Sequence, residues 1–113
     1  MNSLTKPDAV VVLTTVASAE AAHILVRGLL ERRIIACATI LPAAQSLYWW
    51  QGKIADEQET VILIKTRESL VGELQAAFTE LHPYAVPELL ALTVTVGSRR
   101  YLDWLEFETD LAD

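Results

Sequence analysis

The segment QSLYWWQGKIADEQETVILIKT, residues 45–66, decides how this chain folds. Two adjacent tryptophans, Trp49 and Trp50, stand before Gln51-Gly52, and four consecutive aliphatics, Val61–Ile64, close the stretch. Gly52 supplies the positive φ that a tight turn between two strands wants. The pattern predicts a long hairpin, polar at its tip and apolar at its base. A small domain that exposes so much apolar surface points to completion by other copies of the same chain.

Working outward, AVVVLTT (residues 9–15) is a β-branched run too short for a helix and reads as a buried strand. Ser18 suits an N-cap, with Glu20 in the first turn. Ala22, Leu25, Val26, Leu29 and Leu30 then recur at three- and four-residue spacing, which predicts an amphipathic helix over about residues 19–32. Residues 34–41, IIACATIL, form a second apolar strand, which Pro42 interrupts; a proline there suits a bulge or an edge. Beyond the hairpin, Leu70, Leu74, Ala77, Phe78 and Leu81 mark a second amphipathic helix from about Ser69, ended by His82-Pro83. The loop PYAVP leads to a strand ELLALTVTV, residues 88–96, stopped by Gly97. A short terminal helix capped by Ser98 follows, carrying Tyr101, Leu102, Trp104 and Leu105.

This order predicts an α+β fold: a ferredoxin-like βαββαβ sandwich, with an extended hairpin between its second and third strands and a short C-terminal helix. Right-handed crossovers place both long helices on one face of a four-stranded sheet. Residues 1–8, MNSLTKPD, read as a mobile leader and residues 9–113 as a single domain.

Side chains alternate between the faces of a strand. Val10 and Val12 oppose Val11 and Leu13; Val61 and Leu63 oppose Ile62 and Ile64; Ile35, Cys37 and Thr39 oppose Ala36, Ala38 and Ile40. Three strands are therefore apolar on both faces, the pattern of a doubly covered sheet. Two helices cover one face, and the terminal helix is too short for all of the other. Leaving about eight such side chains bare forgoes on the order of 10–20 kcal/mol. That rivals the whole net stability of a typical domain, about 5–15 kcal/mol. Self-association into a closed ring is the economical expectation.

Fifteen acidic residues against nine Lys plus Arg give a net charge of −6, the wrong sign for tracking nucleic-acid phosphates. Apolar runs such as Ala9–Leu13 and Val61–Ile64 fall far short of a membrane span of about 20 residues. The single cysteine, Cys37, excludes an intramolecular disulfide and suits a reducing compartment, so a cytoplasmic protein is expected.

Catalytic motifs find little support. The four glycines are scattered rather than gathered into a phosphate loop, and His23 and His82 make no triad with Cys37 by spacing. Asp56, Glu57 and Glu59 cluster at the hairpin, where they could bind a hard cation loosely but better suit a solvated edge that discourages aggregation. Other residues suggest binding. Cys37 is either a small buried hydrophobe or a functional thiol, for which Lys65 is the available cation. Lys65 ends an apolar strand and could pair with Glu88. With Trp50 and Tyr84 these residues could line an inter-subunit cleft for a small ligand, or they form a structural ion pair and a packing tyrosine.

The segments ACATILPAAQSLYWWQGKI, VILIKT, LHPYAVPELLAL and YLDWL, in that order from about Val10 to Leu105, resemble the CutA divalent-cation tolerance proteins. The resemblance implies a ferredoxin-like fold, a tightly packed homotrimer in the bacterial cytosol and an architecture similar to the PII signalling proteins. It also implies a part in tolerance to copper or another divalent cation. The copper site assigned in such proteins, a cysteine at the end of the first strand and two histidines before Pro-Tyr, falls here on Thr14, Leu81 and His82. Thr14 and Leu81 depart from the pattern, leaving His82 as the metal candidate. The expectation is a non-catalytic homotrimer acting in metal tolerance. The alternatives are a PII-like regulatory trimer with a ligand in the cleft, and a trimeric scaffold.

Overall fold

The computed structural model describes residues 4–5 and 8–109. The chain runs β1 (Leu4–Thr5), β2 (Ala9–Val16), α1 (Ala19–Glu31), β3 (Cys37–Trp50), β4 (Lys53–Arg67), a 3-10 turn (Glu68–Leu70), α2 (Val71–Leu81), β5 (Leu90–Thr93), β6 (Gly97–Ser98) and α3 (Arg99–Glu108). The main sheet has the order β3-β4-β2-β5 with every neighbouring pair antiparallel, which is the ferredoxin-like arrangement. The expected leader lies largely outside the described residues; within it, Leu4–Thr5 pair with Gly97–Ser98 in a small second sheet.

Both long helices cover the same face. Ser18 caps α1, its Oγ accepting from the Ala21 N–H at 3.1 Å. Leu25, Val26 and Leu29 of α1 and Leu74, Ala77 and Phe78 of α2 bury against Val10, Val12, Ile62 and Ile64 of the sheet. Polar side chains on this face are satisfied locally: Thr66 Oγ1 donates to the Ile34 carbonyl at 2.7 Å. The opposite face is sheltered at one end, where Leu105 of α3 packs on Ala9 and Ala36. Arg67 donates to Thr109, and Arg33 to Glu108, beside that contact.

Two strand limits differ from the sequence expectation. The second strand begins at Cys37 rather than Ile34, because Arg33, at φ 61°, turns the chain and sends Ile34 and Ile35 into the core as a buried connection. The last strand is restricted to Leu90–Thr93. Its partner β2 begins at Ala9, whose carbonyl accepts from Val94, so residues 94–96 have no ladder to join. The hairpin forms as the sequence predicts. Its strands are 14 and 15 residues long, joined at Gln51-Gly52, and they draw the molecule out to 53 Å along its longest axis.

A bulge lies at Pro42. Leu41 faces Val61, but Ala44 faces Glu59, so one extra residue enters β3, with Ala43 at φ 63°. The insertion reverses the alternation. Before it, Cys37, Thr39 and Leu41 share the second face with Lys65, Leu63 and Val61; after it, Ala44, Ser46, Tyr48 and Trp50 take that side.

Candidate functional site

The reversed alternation brings Tyr48 and Trp50 to the side of the sheet that carries Thr15 and Glu59. Pro83 cannot continue α2, and the segment after it folds back over the sheet end. A cavity of about 750 Å³ lies between this segment and the hairpin, with Thr15, Tyr48, Trp50, Glu59, Tyr84 and Glu88 in its wall. The Tyr84 hydroxyl donates to Glu59 Oε2 at 2.6 Å and ties the two walls together. Burial, reinforced by that bond to a carboxylate, pushes the Tyr84 phenol well above its ordinary pKa. Glu59 is only 7% exposed, so its carboxylate is held rather than solvated. In sequence it belongs to an acidic run that suits a charged edge. The signal that marks it is register, since it sits where the bulge restarts the ladder.

Trp50, Tyr84 and Glu88 thus meet in one cleft, as the sequence suggested. Lys65 and Cys37 lie elsewhere. Lys65 faces Val11, four residues along β2 from the Thr15 row, a rise of about 13 Å. Its Nζ donates to Thr39 Oγ1 at 2.6 Å, so within one chain the suggested Lys65–Glu88 pair is not made. Cys37 opens β3 directly opposite Lys65, half-buried, with Sγ 3.5 Å from the Tyr101 hydroxyl. Burial, then the contact with Cys37, raises the Tyr101 phenol to about 12.

His82 is the C-cap of α2 and is buried between the rings of Phe78 and Tyr84, whose centroids lie 5.1 and 5.2 Å away. The Tyr84 backbone N–H donates to Nδ1 at 3.1 Å, which fixes the lone pair on Nδ1 and the proton on Nε2. Nε2–H then donates to Thr14 Oγ1 at 3.1 Å. The positions implied for a copper site do converge, but they converge as a hydrogen bond. Burial lowers the His82 pKa, against a smaller opposing pull from the Thr15 backbone. A resident copper ion does not fit: both imidazole nitrogens are engaged, and threonine and leucine replace the sulfur and nitrogen donors a soft metal needs. Among the described residues no three of His, Cys, Asp and Glu gather to hold a metal ion.

Residues 10–108 match the family model of the CutA1 divalent ion tolerance protein. The chain is 43% identical over 99 residues to the divalent-cation tolerance protein CutA of Thermus thermophilus, covering 88% of this chain and 96% of that one. It is 45% identical over 98 residues to that of Pectobacterium atrosepticum, covering 87% and 89%. The structure of CutA from Synechococcus elongatus superposes with a TM-score of 0.90 at 37% identity, over 96% of this chain and 97% of that one. Sheet order, doubly apolar strands and a match that spans nearly the whole chain agree, and the chain belongs to the CutA1 family of divalent ion tolerance proteins.

Proposed function

We propose that this chain acts in divalent-cation tolerance as a non-catalytic, cytoplasmic homotrimer, and that it does so without a copper ion held on His82. Family membership supports the tolerance role. The observation that carries the assembly is the uncovered second face of the sheet. Leu90 and Leu92 pair with Leu13 and Val11 on that face and are 53% and 54% exposed, and Leu41 lies at its other edge. The hairpin adds Leu47, Trp49 and Ile54 beyond the body of the domain. A closed ring of copies shelters both surfaces at once, and the resemblance implies three. Sedimentation equilibrium is expected to return three times the chain mass; a stable single chain refutes the assembly. In a copper-sensitive strain lacking its own copy, the wild-type chain and His82→Ala are expected to restore growth equally. Copper titration of the two purified proteins is expected to give the same weak binding, and tight binding lost in His82→Ala returns the metal to that residue.

A second reading, a regulatory trimer that takes a small ligand, is favoured by the cavity itself. Its volume lies within the range of small-molecule sites, roughly 300–1,000 Å³.

A further inference from the structure

Resting on that second reading, we infer that the cleft between the hairpin and the segment after α2 is a site for an organic cation: a protonated amine carrying an apolar body. Among the described residues of one chain, the wall contains two carboxylates, Glu59 and Glu88, and no lysine, arginine or histidine. Three aromatic residues, Tyr48, Trp50 and Tyr84, stand with them. Ring faces attract cations, most strongly where water is excluded.

Glu59 is the anchor. It is almost wholly buried, and Tyr84 occupies Oε2 alone. Glu59 lines the cavity wall, and no buried side-chain oxygen among the described residues lacks a partner, so Oε1 is accessible rather than a buried orphan. A carboxylate in an aromatic-lined cleft with one oxygen accessible is a receptor for a charged donor. A bare divalent ion is a poorer match, because hard cations need about six oxygen ligands and aromatic walls supply none. Inorganic and organic anions are repelled by both the cleft and the net charge of −6. The size also selects. A cavity of about 750 Å³ exceeds a simple ammonium and leaves room for an apolar body against Trp50.

Phenethylamine, positively charged at neutral pH, and its neutral near-isostere phenethyl alcohol are the probes, titrated by calorimetry into the intact assembly at low salt. The amine is expected to bind at least about tenfold more tightly, the scale of a desolvated cation–π contact with a charged hydrogen bond. Glu59→Gln retains an oxygen for the Tyr84 hydroxyl, so it keeps the fold, and it is expected to lose that preference. Trp50→Leu is expected to weaken the amine more than the alcohol. Equal affinity for both probes overturns the cation assignment while leaving the cleft a ligand site. No binding by either probe, in protein that still sediments as an assembly, overturns the assignment and the small-ligand reading together; the assembly and its tolerance role stand.

Discussion

His82 is held neutral by what surrounds it, and that fixes a pH dependence. Free imidazole titrates near 6.5, and in the fold burial keeps the group from gaining its proton at that pH. Above 6.5 folded and unfolded chains both carry a neutral ring, so this residue adds no slope. Below 6.5 the unfolded chain takes up a proton that the folded chain refuses, so stability falls as pH drops until the buried ring titrates too. Urea midpoints at pH 7.5 and 5.0 are expected to fall further for the wild type than for His82→Gln. Equal falls refute the buried neutral ring. The variant also starts lower, by about 1–3 kcal/mol, for a broken buried hydrogen-bond pair. Pro83 made the helix end at His82 legible in the sequence. The bond to Thr14 was not legible from spacing, since the two residues are 68 positions apart and only the packed fold joins them.

The hairpin turn argues at the scale of the element. Gln51 and Gly52 adopt φ 52° and 80° between the paired Trp50 and Lys53, the positive pair of a type I′ turn whose twist matches the strands. A non-glycine residue there costs roughly 1–2 kcal/mol, a cost that asparagine tolerates better than glutamine. Gln51→Asn is expected to raise stability by up to about 1 kcal/mol, and Gly52→Ala to lower it by about 1 kcal/mol or more. The loss in Gly52→Ala is purely conformational, since an added Cβ meets no atom within 4 Å. Thermal melts at one fixed protein concentration measure both; a neutral Gly52→Ala refutes the turn type. Composition and alternation made the hairpin readable, and Gly52 located its tip. The side each aromatic faces was hidden, because one inserted residue at Pro42-Ala43 turns every later side chain over. Simple alternation continued through Pro42 puts Leu47 and Trp49 where Tyr48 and Trp50 stand. The cleft could therefore be foreseen as a group of residues but not as a geometry, and Glu59 reads in sequence as one more charge on an acidic edge.

At the scale of the whole molecule, the uncovered sheet face makes folding and assembly one equilibrium. Its excess was legible in the sequence because three strands repeat aliphatics at both parities, more than two helices can shelter. The joint between copies was not, since it depends on how far the hairpin projects and which side its aromatics take. Leu90 and Leu92 are the sharpest probes, being apolar, exposed and on the short edge strand β5. Burying each against a neighbour contributes about 1.5–3 kcal/mol. A glutamate at each position instead brings like charges to every copy of the joint. In the wild type the melting temperature is expected to rise with protein concentration, because mass action then favours the associated fold. Leu90→Glu/Leu92→Glu is expected to sediment as a single chain and to melt at a lower temperature that no longer depends on concentration. The contrast matters more than the loss of stability. Both side chains are already exposed within one chain, so if that chain were complete in itself the pair of glutamates would leave its melting point nearly unchanged. A variant that sediments and melts like the parent means that the second face meets only water, and the case for shared shelter falls with it.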